Sequence, residues 1–321
     1  MADRLPVGLV TGFLGSGKTT LLARLLARPE LGETAVLVNE LGEVAIDHHL
    51  LRRVDERTVV LAGGCLCCTL RGDVADELRD LLSRRTRGEI PAFRRVLVET
   101  TGLADPAPIL NTLLAEPVVR HHFEPEVVVA TVDALNGLGQ LDRREETLKQ
   151  VVVADRLVVT KTDVADPAAV ALLEERLRSL NPAAEVLRVS FGEVEPAVLL
   201  APGERDPRGM RPPESAPHDG GLHAFVLVLE RPVDWTAFGI WLTMLLHAHG
   251  EWVLRVKGIL NVPDLPTPVA IHGVQHVVHP PEHLDAWPDE DRRSRIVFIA
   301  RGIEKGEVEE SLAAFDGAAR R

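Results

Sequence analysis

The stretch GFLGSGKTT, residues 12–20, decides the fold. It follows the apolar run PVGLV and leads directly into TTLLARLLA, whose leucines have helical spacing. A glycine, four residues and then Gly-Lys-Thr, set between a strand and a helix, is the pattern of a loop that cradles phosphates. A glycine-rich turn that binds nothing is the less favoured interpretation, because pattern and context agree.

The loop predicts a triphosphate site with Mg²⁺. Backbone N–H groups and the positive end of the helix would face the phosphates, and the predicted nucleotide-binding residues are Gly12, Gly15, Ser16, Gly17, Lys18, Thr19 and Thr20. We expect Lys18 to bridge phosphate oxygens and Thr19 to ligate Mg²⁺.

A second acid for this site is predicted from RRVLVETTG, residues 94–102. Glu99 ends an apolar strand and would contact Mg²⁺ through water, and Gly102 would bring a backbone N–H near the γ-phosphate. Taken alone, a glutamate at a strand end is more often a surface residue. With the loop upstream, the catalytic candidates are Lys18, Thr19 and Glu99.

The base is predicted from TKTD, residues 160–163. Asp163 would accept hydrogen bonds from guanine N1–H and the 2-amino group, and the Lys161 stem would pack over the ring. Adenine would leave that carboxylate unpaired, which costs about 1–3 kcal/mol and favours GTP. The guanine-reading element of GTPases is N-K-x-D, so Thr160 stands in the place of its Asn. We expect this difference to weaken loop bracing. A polar turn that ends a strand is the alternative.

The rest of the chain supports an α/β fold in two domains. Seven mostly continuous apolar runs alternate with helical patterns up to about residue 201, which is typical of a doubly wound, mostly parallel sheet. Residues 206–221 are dense in Pro, Gly and charge and read as a linker. We therefore predict a P-loop nucleotide domain over 1–205 and a smaller α+β domain over 222–321.

Composition excludes several classes of protein. A chain of 321 residues with a net charge of −12 lacks the cationic surplus of a general nucleic-acid binder. The start MADRLPVGLV has no secretory leader, and no uncharged apolar stretch approaches the roughly 20 residues of a membrane span. We expect a cytoplasmic protein without membrane partners.

All three cysteines of the chain fall within GGCLCC, residues 63–68. Thiolates are soft ligands, and a C-x-C pair behind two glycines can aim two sulfurs at one ion. We rank Cys65 and Cys67 first as metal ligands and Cys68 next. The alternative is three small buried hydrophobic side chains.

These motifs resemble the CobW-type P-loop GTPases. Besides GFLGSGKTT, GGCLCC and TKTD, the resemblance rests on VNELGEVAID (38–47), ETTGLADP (99–106), Gln150 with Ala154 and Asp155, RVKG (255–258), HGVQHVVHPP and RSRIVFIARG. Members of that family are nucleotide-dependent metal chaperones or metal-insertion proteins. The resemblance implies GTP, Mg²⁺ and Zn²⁺ or Co²⁺ as cofactors, and a client metalloprotein or cofactor-biosynthesis enzyme as partner.

The leading hypothesis is a GTPase that binds a divalent metal through C-x-C-C and delivers it to a client. Residues 38–47 lie where GTPases place a switch, so hydrolysis would release a metal that the GTP form holds tightly. The alternatives are a P-loop kinase acting on a small metabolite and a metal-sequestering module with a structural nucleotide.

The segment HGVQHVVHPPEH, residues 272–283, contains four histidines: His272, His276, His279 and His283. Strand alternation would put His272 and His276 on one face and His279 on the other. Exposed or hydrogen-bonded histidines are the favoured interpretation, and a metal cluster is the alternative.

Overall fold

The computed structural model describes residues 4–38, 59–62, 72–200 and 221–319. The chain divides into two compact units, one of Met1–Leu177 with Ala184–Gly203 and one of Arg178–Ala183 with Glu204–Arg321. The predicted linker, apart from Gly221, lies outside the described residues. So do the three cysteines and all but the first residue of the predicted switch.

The described part of the chain up to residue 200 alternates strands with helices. The strands are β1 (Leu5–Gly12), β2 (Thr34–Val38), β3 (Val59–Ala62), β4 (Arg95–Glu99), β5 (Phe123–Asp133), β6 (Arg156–Thr160) and β7 (Glu185–Arg188). The helices are α1 (Lys18–Leu26), α2 (Gly72–Thr86), α3 (Ala107–Ala115), α4 (Pro117–His122), α5 (Gly137–Arg143), α6 (Glu145–Val153), α7 (Pro167–Leu180) and α8 (Pro196–Leu200).

These strands form one parallel sheet of seven, in the order β3-β2-β4-β1-β5-β6-β7. The predicted doubly wound fold is confirmed. Strand β1 lies centrally, with Val10 opposite Glu99 of β4 and Gly12 opposite Thr131 of β5. Because parallel strands end at one edge, the loop that follows β1 emerges beside the carboxyl ends of β4, β5 and β6.

Helix α1 is fixed on this sheet by its leucines. Leu21, Leu22 and Leu25 are fully buried and pack with Val10 and Val129 in one core cluster. Each buried leucine stabilises the fold by about 1.5–3 kcal/mol. This packing sets the position of the helix N-terminus at the carboxyl edge of the sheet.

The C-terminal part of the chain is a separate α+β domain, as predicted. Its described elements are β8 (Leu222–Leu229), α9 (Trp235–His249), β9 (Val253–Leu260), β10 (Val269–Val274), β11 (Val277–Val278), β12 (Glu282–His283), β13 (Ser294–Arg301) and α10 (Lys305–Ala319). The antiparallel sheet has the order β11-β10-β9-β13-β8, and β12 pairs with β10. Trp241 of α9 packs edge-on against Phe298 of β13 and donates to Ser311 of α10, which joins both helices to the sheet.

The histidine prediction for this domain is wrong in one respect. Strand β10 ends at Val274 and the chain reverses, so that Gly273 pairs with Val278 of β11. His279 therefore donates its backbone N–H to the carbonyl oxygen of His272 at 2.9 Å, and their rings are 6.1 Å apart. His276 lies in the turn, where its Nδ1 is 2.9 Å from the Leu246 carbonyl oxygen.

The described ranges contain neither a membrane-spanning helix nor a side-chain cluster placed to hold a metal ion. None of their helices combines the length and apolar character that a membrane span requires. No group of three or more His, Cys, Asp or Glu side chains in those ranges is placed to hold a metal ion.

Candidate functional site

The loop between β1 and α1 has a backbone that requires glycine. Gly12, Gly15 and Gly17 have φ angles of 140°, 71° and 95°. A Cβ on Gly12 would lie 2.3 Å from Thr131 Oγ1, and Gly17 forms the left-handed N-cap of α1. Side chains at these positions would strain the turn or collide with β5, so the glycine spacing read from the sequence has a steric cause.

Lys18 is held over this loop. Its Nζ donates to the carbonyl oxygens of Gly12 at 3.0 Å and Phe13 at 3.2 Å, and the residue is buried. An ammonium group so placed can also donate to an anion inside the loop, where the N–H groups of α1 add partial positive charge.

Thr160 braces the loop from the neighbouring strand. Its hydroxyl donates to the Ser16 carbonyl oxygen at 2.8 Å, and Ser16 Oγ lies 2.6 Å from Thr131 Oγ1. Thr160 therefore braces the loop itself, and the expectation that it does so more weakly than Asn stays a prediction. A threonine hydroxyl at the end of β6 reaches the loop directly, because β6 and the loop meet at the same sheet edge.

Thr19 and Glu99 come together as the sequence predicts. Thr19 Oγ1 donates to Glu99 Oε1 at 2.6 Å, and Glu99 is only 3% exposed. The contact follows from register, since β1 and β4 are adjacent and Glu99 ends β4 where α1 begins. A hydroxyl and a buried carboxylate together present the hard oxygen donors that Mg²⁺ prefers.

Gly102 lies against the phosphate loop. A Cβ at this position would be 2.6 Å from the backbone nitrogen of Leu14, so only glycine allows this approach. The loop that follows β4 and carries Gly102 is held by Gln150 of α6, whose Nε2 donates to the carbonyl oxygens of Gly102 at 3.2 Å and Ala104 at 3.1 Å. The sequence marked Gln150 only as part of a family resemblance and predicted no role for it.

Lys161 and Asp163 follow β6 at the same edge. Lys161 has a φ of 57° and its Nζ lies 2.8 Å from Asp133 Oδ2, at the end of β5. The Asp163 side chain is exposed at this edge. Burial alone would raise the pKa of Asp133, but hydrogen bonds from Lys161, Asn136 and the Leu135 N–H outweigh it and lower that pKa.

Asp133 is a site residue that the sequence analysis missed. It orients Lys161 through an ion pair whose carboxylate is buried. The signal was present, because Asp133 closes the apolar run EVVVATVD as Glu99 closes RVLVE. A strand-end acid close to the TKTD segment, where the base is predicted to bind, is the same kind of sequence signal as Glu99.

This arrangement defines a class of protein. A parallel sheet, a glycine loop capped by a buried lysine, a threonine bonded to the acid of the next strand, and a TKTD segment at one edge make a P-loop nucleotide-binding domain.

The chain belongs to the CobW family. Residues 6–188 match the family model of the CobW/HypB/UreG nucleotide-binding domain. Residues 222–316 match the model of the cobalamin synthesis protein CobW C-terminal domain. Together the two matches span most of the chain.

Relatives are similar along their whole length. The zinc chaperone YjiA of Escherichia coli is 34% identical over 319 residues, with 98% of each chain covered. The zinc chaperone CobW of Pseudomonas aeruginosa is 30% identical, with 96% of this chain and 91% of that protein covered. The crystal structure of Zn(II)-bound YjiA GTPase from E. coli superimposes with a TM-score of 0.72 at 31% identity, over 98% of this chain and 99% of that one.

Proposed function

We propose that the protein is a GTP-hydrolysing metal chaperone, which releases GDP and phosphate and delivers a divalent transition metal to a client. The hydrogen bond between Thr19 and Glu99 at the phosphate loop carries the hydrolase part of the proposal. Family membership supports it, as do the full-length relatives that are named zinc chaperones.

The chain's own residues account for nucleotide binding in this proposal. The loop N–H groups and Lys18 hold the β- and γ-phosphates, and Gly102 brings its backbone against them. Thr19 and Glu99 would hold Mg²⁺, which when bound would neutralise charge that develops on the phosphate oxygens. Thr160 and Gln150 keep the two loops in place through the hydrogen bonds described above.

Guanine selectivity is assigned to Lys161 and Asp163. The exposed carboxylate of Asp163 is the acceptor for guanine N1–H and the 2-amino group, and its partners are absent from adenine. Lys161 is held beside it by Asp133. We propose that this pair selects GTP over ATP.

The transported metal is assigned to Cys65, Cys67 and Cys68, which lie outside the described residues. Soft thiolate ligands suit Zn²⁺ and Co²⁺, and the relatives named zinc chaperones favour Zn²⁺ as the cargo. GTP would hold the switch, residues 38–47, in an arrangement that favours metal binding, and hydrolysis would reverse it. Linkage then requires that metal strengthen GTP binding by the same factor.

The remaining assignments complete the proposal. Residues 1–205 hold nucleotide and metal, residues 206–221 connect, and residues 222–321 serve client recognition. The client is a metalloprotein or an enzyme of cofactor biosynthesis, and the site of action is the cytoplasm.

The test measures inorganic phosphate released from GTP and Mg²⁺ with no phosphoryl acceptor, with and without Zn²⁺. We expect steady release by the wild type and a loss of about 10²-fold in kcat for Thr19→Ala, because a charge-stabilising contact is removed. Thr243→Ala is the matched control, since its hydroxyl donates to Gly239 within α9. Phosphate release no faster from the wild type than from Thr19→Ala, or equal kcat/KM for ATP and GTP, would overturn the proposal.

A further inference from the structure

Phe191 differs from the other phenylalanines of the chain in its exposure and in its backbone conformation. The chain has eight phenylalanines, all within the described ranges, and Phe191 is the only exposed one, with 64% of its surface accessible. Its backbone has a φ of 56°, in the left-handed region that bulky side chains rarely adopt. An apolar ring kept in water on a strained backbone is unfavourable in the free protein, and such strain often marks a ligand site.

The loop that carries Phe191 is fixed on both sides. Ser190 Oγ lies 2.8 Å from Thr162 Oγ1, which ties the loop to the TKTD segment. On the other side, a Cβ on Gly192 would be 3.0 Å from the Thr20 carbonyl oxygen and 3.2 Å from Leu21 Cα, so this glycine lies close against the start of α1. Phe191 is therefore held between the base-reading segment and the helix that follows the phosphate loop.

A second strained residue lies at the same edge. Among described residues other than glycine, four have a positive φ, and the two in the nucleotide unit are Lys161 and Phe191. Lys161 belongs to the base-reading segment, and the bond between Thr162 and Ser190 joins its loop to that of Phe191. Lys161 and Phe191, the two residues with unusual backbone angles, thus both lie where the base is expected to bind.

We infer that the ring of Phe191 stacks on the purine base of the bound nucleotide and is a base-contacting residue of this site. The inference rests on the proposed function, because it takes GTP and GDP as the ligands. Stacking removes the exposed ring from water and supplies affinity that is independent of hydrogen bonding to the base. Asp163 would then select guanine, while Phe191 would strengthen the binding of any purine.

The test compares GDP with tripolyphosphate, which has no base, by calorimetry on the full chain. Phe191→Ala is expected to weaken GDP binding about fivefold or more, the loss typical of one base-aromatic stack, and to leave tripolyphosphate binding unchanged. Leu172→Ala is the matched control, because Leu172 of α7 is 55% exposed in the same unit. We expect it to bind both ligands like the wild type.

Phe191→Trp supplies a direct optical readout. All four tryptophans of the chain lie beyond residue 234, so the new indole would report on the nucleotide domain. We expect GDP to quench its emission and tripolyphosphate to leave it unchanged, whereas Leu172→Trp should respond to neither.

The outcomes separate this inference from the proposed function. Absence of GDP binding by the wild type would remove the proposed function and the inference together. Wild-type binding of GDP with a Phe191→Ala affinity within twofold of it, or an equal loss for GDP and tripolyphosphate, would overturn the stacking role alone. Lack of GDP-specific quenching in Phe191→Trp would do the same.

Discussion

Replacing Thr160 by valine tests how this chain holds its phosphate loop. Valine has nearly the same shape but lacks the hydroxyl that donates to the Ser16 carbonyl oxygen at 2.8 Å. That hydroxyl also lies 3.3 Å from the Val132 carbonyl oxygen. Ser16 is fully buried, so its carbonyl would lose this donor without gaining water in exchange.

The expected magnitude follows from that loss. Leaving a buried acceptor without its donor costs about 1–3 kcal/mol, which corresponds to about 5- to 150-fold in an equilibrium constant. We expect the free energy of unfolding of Thr160→Val to be about 1–3 kcal/mol lower than that of the wild type, as measured by urea titration followed by circular dichroism. We also expect weaker GDP binding by calorimetry, because a loosened loop must be ordered when the phosphates bind.

Thr160→Ser is the matched control. It keeps the hydroxyl and removes only the methyl group, so GDP affinity should remain within about twofold of wild type if the hydrogen bond is what matters. A Thr160→Val protein that is less stable but binds GDP like the wild type would refute the bracing role. Equal losses in the valine and serine variants would refute it too, since packing would then be the cause.

Three further predictions concern the same edge of the sheet. Asp163→Asn exchanges an acceptor for a donor and should shift the kcat/KM ratio of GTP to XTP by about tenfold or more toward XTP; an unchanged ratio contradicts the base assignment. Gln150→Glu removes the donor to Gly102 and Ala104. It should lower the free energy of unfolding by about 1–3 kcal/mol in urea and slow phosphate release. Wild-type stability and a wild-type rate of release would show that these two hydrogen bonds do not hold the Gly102 loop. The pKa of Asp133 is lower in the folded chain than in the unfolded chain. Its contribution to stability is therefore complete above the unfolded pKa of about 4 and is lost as pH falls through the folded pKa. Asp133→Asn should lower the free energy of unfolding at neutral pH and lower it progressively less in acid, whereas a difference from wild type that does not change with pH would contradict this role.

The fold was predictable because its determinants are local. Gly12 and Gly17 are required by their backbone angles, and Gly12 also by its close contact with β5; both appear in a motif of fixed spacing. Short continuous apolar runs that alternate with helical patterns are typical of the interior strands of a covered parallel sheet. The meeting of Thr19 and Glu99 then follows from strand order, since residues at adjacent carboxyl ends must be neighbours.

The supporting contacts were less accessible to sequence reasoning. Gln150 reaches Gly102 across 48 positions of sequence, and nothing in its local pattern indicates that contact. The contact of Thr160 with the Ser16 carbonyl oxygen depends on the distance between β6 and the phosphate loop, and the TKTD pattern does not contain that distance. Strand alternation assigns faces to His272, His276 and His279, but alternation stops at the turn that begins after Val274.

A titration with Zn²⁺ tests whether nucleotide state sets metal affinity, as proposed. Zn²⁺ would be titrated into the full chain loaded with a non-hydrolysable GTP analogue and Mg²⁺, and again into the GDP form, with Cys67→Ala as the control that lacks a thiolate. We expect tighter Zn²⁺ binding in the GTP-analogue form, and we expect Cys67→Ala to lose this difference. Equal Zn²⁺ affinities in the two nucleotide states would contradict it.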